Sequence, residues 1–534
     1  MKLRQTNIEK LASQEFDVCI VGGGINGAVS AAALSARGVR VALVDRLDFA
    51  GETSQQSSNL AWGGIKYMET FEFGLVRSLC LARNRLIRSY PSTVQEIGFF
   101  MTHPRRFRWP RWMVWLGTWL YWFIGGCFTK RPRLLSRREI EEEEPIIDVA
   151  DASGGIEYAD AYLHDNDARF VFNFVRSALS NGCVAANYLE VVGGARVGDA
   201  WRLTLRDVLD GREFSLSARG LVNACGPFAD ELNARLSVTT LHRHALSKGV
   251  HLIVRRLTSS RRVLTFFADD GRLFFVIPMG PRTCIGTTDT RVEAAHVGVT
   301  DEDRRFVLEN INKRLRLSAP LTEHDVIAER CGVRPLAVKA GAGVEQKKDW
   351  MQLSRRHAIE VSGHVVSIFG GKLTDCLNVG EEVSEHIRGL GIAIPYPHRR
   401  WFGEPPLETR DEFFHQAKLM NLDALTSPTS SEPLSTRLWR RYGAQAIGLL
   451  ENIRQDPEAA SLLIEHAEYI RCEVEQAARR EMITKLEDFL RRRSKIALVV
   501  SREQLKKAAG LHEACEILFG DQAAAKYAEY FATH

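Results

Sequence analysis

The chain has 534 residues, 45% hydrophobic and 26% charged, with a formal net charge of +5. At about 150 residues per domain, that length implies two or three domains. The composition excludes a disordered, fibrous or low-complexity chain, no run reaches the ~18 consecutive apolar residues of a spanning helix, and the N-terminus lacks the apolar core of a secretory signal.

In chain order, residues 16–21 (FDVCIV) read as a buried strand, 25–37 as a helix of small residues, and 39–44 (VRVALV) as a second buried strand ending in Asp45. This is a βαβ unit in under 35 residues. A helix is expected over 72–90. A basic, aromatic segment follows it, and then an acidic run at Glu139 and 141–144 that reads as a solvated helix face. Residues 164–180 read as a helix and 220–224 (GLVNA) as a buried strand. Between 250 and 290 the β-rich runs lie too close together for crossover helices, so an antiparallel sheet is expected. Residues 365–369 (VVSIF) form a strand before Gly370-Gly371 and a further helix. Strands stop near 396, and 411–534 read as helical around a turn-rich loop at 426–433. The expected organisation is therefore α/β: residues 1–395 hold a Rossmann-like nucleotide-binding domain interleaved with an antiparallel-sheet substrate domain (mainly 240–345), and 396–534 form an all-α domain.

Ten scattered cysteines include no CxxC pair, which suits reduced thiols in a cytoplasmic setting. No Cys/His cluster has zinc-ligand spacing, and His242 and His244 alone read as a polar strand face. From residue 97 to 138 there are nine basic residues and no acidic one, so the rest of the chain is net −4 (+5 less +9). Positive charge concentrated around an apolar stretch does not fit a nucleic-acid binder.

Gly22, Gly24 and Gly27 form G-x-G-x-x-G between strand and helix. Gly22 permits the tight turn, Gly24 lets backbone approach a pyrophosphate, and Gly27 permits close helix–strand packing. Asp45 lies where a carboxylate binds ribose hydroxyls. The motif alone does not choose between FAD and NAD. Its place in the chain and the hydroxyl-rich loop at 53–58 favour FAD.

The order and spacing of several segments resemble the FAD-dependent, quinone-linked glycerol-3-phosphate dehydrogenases of the D-amino-acid-oxidase-like superfamily. They are DVCIVGGGINGA at 17–28, TSQQSSNLAWGGIKYME at 53–69, VNACGPFAD at 222–230, SKGVHLIV at 247–254, IGTTD at 285–289, CGVRPL at 331–336, SIFGGKLTD at 367–375, RRYG at 440–443 and LEDFLRRRSKIAL at 486–498. The resemblance implies that Gly22, Gly24, Gly27 and Asp45 hold the ADP half of FAD. Thr53, Ser54, Ser57 and Ser58 would approach pyrophosphate and flavin, and Gly371, Lys372, Leu373 and Thr374 would lie beside the ring. Lys66, Tyr67, His251, Arg334, Arg355 and Lys372 would form the substrate site. Of these, His251 would be the base, Arg334 and Lys372 would grip a phosphoryl group, and Tyr67 would orient the alcohol. The implied reaction is oxidation of sn-glycerol 3-phosphate to dihydroxyacetone phosphate, with a membrane quinone as acceptor.

The chain departs from that family at Asn59 (usually Lys), Trp62 (usually His), Lys66 (usually Arg) and Asp375-Cys376 (usually Thr-Tyr). These departures keep open a flavin enzyme acting on another hydroxy acid or amine, and a flavoprotein that has lost catalysis. Trp109, Trp112, Trp115, Trp119 and Trp122 crowd fourteen positions. Residues 105–128 therefore read as a monotopic patch on the cytoplasmic face of the inner membrane, or else as a buried core helix. A homodimer is a further expected assembly.

Overall fold

The computed structural model describes residues 2–339, 356–428, 430–464 and 467–533, in two units. The first comprises Met1–Gln55, Asp165–Ala245 and Pro335–His534. Its sheet runs in the order Ala358–Ser362, Val365–Phe369, Glu213–Asn223, Glu15–Val21, Val41–Val44, Val184–Ala186. All of these pairs except the first are parallel. The strands Val41–Val44 and Val365–Phe369 are buried throughout, as a parallel sheet covered on both faces requires. The helix Ile25–Ala36 is buried at every position. Its run of Ala and Gly lets the neighbouring helices Asp167–Ser180 and Cys376–Gly389 pack closely against it.

Two expected strands change their limits. The second begins at Val41, two residues late. The one expected over 220–224 is the end of a longer strand, Glu213–Asn223, whose alternating first half pairs antiparallel with Ala200–Asp207. The change from strands to helices near 395 falls within this unit. Beyond it, helices such as Leu407–Leu419, Leu434–Tyr442 and Ala446–Gln455 enclose a core of Phe413, Leu438, Trp439 and Leu450, and a π-helical turn occupies Asp488–Arg493.

The second unit comprises Gln56–His164 and Leu246–Arg334. The hairpins of 250–290 are antiparallel, as their spacing predicts. The sheet is nevertheless mixed: Val263–Phe267 pairs in parallel with Val94–Pro104. That strand and its antiparallel partner Ala152–Leu163 escape sequence reading because Gly98 and Gly154-Gly155 interrupt their apolar pattern. The acidic run lies on the helix Arg137–Glu143, which Ser136 and Glu139 cap reciprocally. Glu144 departs from the expected solvated face, because it is buried and accepts from Arg262.

The tryptophan-rich segment is the helix Arg111–Ile124. Trp112, Leu116, Leu120 and Phe123 stand on one face, 46–60% exposed, while Thr118 and Tyr121 are buried. It is therefore not a core helix. Its inner face is held by a buried polar cluster: Tyr121 donates to Asp160 Oδ2 (2.7 Å), and Arg83 Nη1 to Asp160 Oδ1 (2.7 Å). The Gly63 N–H also donates to Asp160 (3.1 Å). Among the described residues no helix is long and apolar enough to cross a membrane.

Candidate active site

In the first unit, one cavity is lined by Gly22, Gly24, Asp45, Thr53, Ser54, Gly370 and Gly371, among others. Gly22 sits at φ +103°, and a Cβ on Gly27 would lie 1.8 Å from the Gly22 carbonyl oxygen. Only glycine at both places lets the helix begin directly under the strand. Gly24, at the helix N-cap, has no side-chain cap. A Cβ there would meet Ser54 Oγ, at 3.1 Å, and that hydroxyl accepts the Ile25 N–H (3.0 Å). A helix N-terminus opening into a cavity with bare backbone fits a pyrophosphate. Asp45 completes it. Its Oδ2 accepts the Gly23 N–H (2.6 Å) and its Oδ1 the Leu47 N–H (2.8 Å). Burial pushes this carboxyl up to about 7, against the pull of those two hydrogen bonds, and ribose hydroxyls donating to it would hold it ionised. These residues fit FAD.

The turn after Val365–Phe369 is fixed by residues that sequence reading missed. His244 Nε2 accepts the Gly370 N–H (3.1 Å), and Asn26 Nδ2 donates to the Gly370 carbonyl (3.0 Å). Burial pushes His244 down to about 4, so it stays a neutral acceptor. Gly371, at φ +110°, has the Asn26 amide 2.9 Å from where a Cβ would stand. Lys372 caps the short turn Leu373–Asp375, in which Thr374 is buried, and the helix Cys376–Gly389 follows. No periodicity or motif announces His244 or Asn26, because their partners lie more than 120 residues away.

The departure at Asp375 also has a structural partner. His357 Nδ1 lies 2.9 Å from Asp375 Oδ2, and its Nε2 lies 3.0 Å from Glu382 Oε2. Burial alone would lower this imidazole, but the two carboxylates hold it up at about 9. A folded-state value above the ordinary 6.5 contributes stability that is complete below pH 6.5 and lost as pH rises through about 9. Thermal midpoints measured from pH 6 to 10 should therefore fall by several degrees more in the wild type than in His357→Gln. Parallel pH profiles would refute the triad's role.

The second unit holds Ser57, Ser58, Lys66, Tyr67, His251 and Arg334. Tyr67 lies in the turn Ile65–Thr70, its ring 6.0 Å from that of Trp62. A Cβ on Gly64 (φ +79°) would strike the Tyr67 ring at 2.5 Å, so this glycine admits the tyrosine. Lys66 is half-buried beside it. His251 is 2% exposed on the strand His242–Arg255, and neither ring nitrogen hydrogen-bonds to another described residue. Burial first, then the charges of Arg334 and Arg330, push it down to about 3, so the ring is neutral and carries an unprotonated nitrogen.

Arg334 is about one-third exposed, and its Nη2 donates to Thr287 Oγ1 (3.2 Å). Its guanidinium lies over Gly249, where a Cβ would be 2.2–2.6 Å from it. Gly249 and Arg330 are further residues that sequence reading did not single out. Arg330, four positions before Arg334 and so on the same strand face, is fully buried, and it donates to Asn59 Oδ1 (2.6 Å) and to the Ser57 carbonyl. The departure at Asn59 thus has a buried cation beside it. Ser57 Oγ accepts the Asn59 N–H (3.1 Å). Arg355 lies outside the described residues.

Comparison with known proteins bears on both units. Residues 17–368 match the family described as FAD dependent oxidoreductase, and 414–520 match the C-terminal domain of alpha-glycerophosphate oxidase. The chain is 30% identical to a protein of Mycobacterium leprae named glycerol-3-phosphate dehydrogenase, over 92% of this chain and 82% of that one. It is also 30% identical to one so named from Pseudomonas aeruginosa, over 92% and 94%. A solved glycerol-3-phosphate dehydrogenase from Bacillus halodurans, complexed with FAD, shares the fold, with a TM-score of 0.72, 24% identity and coverage of 99% and 97%.

Proposed function

Because this chain belongs to the FAD-dependent oxidoreductases, in their glycerol-3-phosphate dehydrogenase branch, we propose that it oxidises sn-glycerol 3-phosphate to dihydroxyacetone phosphate and delivers the electrons to a membrane quinone. The observation that carries this reading is a buried, neutral imidazole under the influence of two guanidiniums, His251 with Arg334 and Arg330. Bound FAD supplies the acceptor for the hydride leaving the carbinol carbon. Arg334, with Lys66 as a further cation, binds the phosphoryl group. Tyr67, backed by Trp62, orients the hydroxyl. His251 takes the hydroxyl proton on a ring nitrogen that no described residue hydrogen-bonds. A bound phosphate dianion offsets the charge of the arginines, so substrate itself raises the basicity of His251.

Anaerobic mixing tests this reading. Bleaching of the flavin by sn-glycerol 3-phosphate, and not by glycerol, 2-hydroxy acids or amino acids, is the expected result. Bleaching by one of the others instead would replace it.

The exposed face of Arg111–Ile124 supports attachment to a lipid surface, on the cytoplasmic side of the inner membrane, where a quinone is within reach. Fourteen helical residues span about 21 Å, so the helix lies in the interface, with Arg105, Arg106 and Arg131 in its flanks placed to meet anionic headgroups. Burying each large side chain there contributes roughly 1.5–3 kcal/mol. The double variant Leu116→Glu/Phe123→Glu should lose vesicle binding in flotation by more than about tenfold, with dye-linked activity retained. Equal flotation of variant and wild type would remove the helix from the interface.

A further inference from the structure

The motif LEDFLRRRSKIAL at 486–498 has no part in the chemistry above, yet it reaches the nucleotide loop. Asp48, three residues beyond Asp45, has a carboxylate with no solvent exposure. It is gripped from the far end of the chain. Arg492 Nε donates to Asp48 Oδ2 (2.8 Å), and Arg493 Nη1 and Nη2 donate to Oδ2 and Oδ1 (2.8 Å each). Asn187 Nδ2 adds a fourth hydrogen bond (2.8 Å).

The turn that carries these arginines is itself pinned. Asp488 accepts from Arg492 Nη2 (2.6 Å), from the Tyr188 hydroxyl (2.7 Å) and from the Thr484 and Lys485 N–H groups (2.8 Å each). The Arg493 guanidinium stacks over the Phe172 ring at 3.9 Å, and that ring packs against Phe49. On the other side of Asp48, the Ala50 N–H donates to the Gly23 carbonyl (3.0 Å). The Phe49 ring fills the space where a Cβ on Gly23 would stand. Leu47, Gly51, Glu52 and Ser54 of the same loop line the cavity. The grip on Asp48 is thus transmitted through one peptide segment to the glycine turn.

We propose that Arg492 and Arg493 are positioning residues that latch the FAD pocket, so that the C-terminal helical segment serves cofactor retention. The two buried arginines face the buried carboxylates of Asp48 and Asp488, with Glu487 also paired to Arg492 at 3.2 Å, so removing either arginine leaves buried negative charge undercompensated. If the latch and FAD each favour the same loop conformation, the coupling is reciprocal. The proposal rests on FAD binding alone and not on which alcohol is oxidised.

The test therefore starts from the wild-type chain, stripped of FAD and then reloaded with it. Reloading should slow hydrogen exchange across residues 484–494, although that turn does not line the cavity. Asp48→Asn and Arg493→Lys, which keep shape and some hydrogen bonds, should raise the dissociation constant for FAD at least about tenfold, with Arg493→Met worse than Arg493→Lys. A merely structural network predicts the opposite: unchanged exchange at 484–494 on reloading, and equal loss of thermal midpoint in the FAD-free and FAD-loaded variants. Either of those results would overturn the latch.

Discussion

In Arg334→Ala, kcat/KM for sn-glycerol 3-phosphate is expected to fall about a thousandfold, roughly 4 kcal/mol, while FAD content stays at the wild-type level. The large effect on substrate follows from removing a charge-assisted, fork-shaped donor from a phosphoryl group. The small effect on FAD follows because Arg334 does not line the nucleotide cavity; it donates to Thr287 and lies 3.8 Å from Asp289. Equal loss of flavin and turnover would show that Arg334 is structural. Gly249→Ala probes the same group without deleting it. The added methyl would meet the flexible end of Arg334, so the fold survives while the guanidinium is displaced. Kinetic losses should then be non-additive: the double variant should be no worse than Arg334→Ala. Additive losses would mean that Gly249 acts on something else.

Gly27→Ala should yield a chain that retains almost no FAD, with affinity at least about a hundredfold weaker, or roughly 3 kcal/mol. Its Cβ collides with backbone, 1.8 Å from the Gly22 oxygen, and backbone cannot step aside as a side-chain tip can. The helix must lift from the strand, and the glycine turn opens with it. Gly24→Ala is the informative contrast. Its Cβ meets only the Ser54 hydroxyl, at 3.1 Å, so the FAD-free protein should melt at the wild-type temperature, yet bind FAD weakly because the methyl occupies the approach of the pyrophosphate. A fully flavinylated Gly27→Ala preparation would contradict this account of the turn.

The βαβ unit was legible because its signals are local: apolar strands, a run of glycines and a terminal acid, all within 35 residues. Val365–Phe369 was legible for the same reason. What escaped reading depends on distant partners. Val94–Pro104 and Ala152–Leu163 support each other across the sheet, but their glycines blur the alternation that marks a strand. Arg330 is indistinguishable from a surface arginine until Asn59 and Ser57, some 270 residues earlier, supply its acceptors. His357 carries no signal in its own neighbours, since its partners Asp375 and Glu382 come from the following turn and helix. The tryptophan-rich helix left two readings open in sequence. Its exposed face decides against the core, and the polar cluster on Asp160 explains how so apolar a helix is held in place.

The buried Asp48–Arg493 contact joins positions 445 residues apart. At ~5–20 residues per second, a ribosome needs roughly 20 to 90 s to travel that distance. Throughout that interval the carboxylate lacks both arginines, and of the side chains that bond to it only Asn187 can precede them. If the latch acts as proposed, a chain ending at residue 490 should hold FAD at least about tenfold more weakly than the full chain, although every residue lining the nucleotide cavity is present.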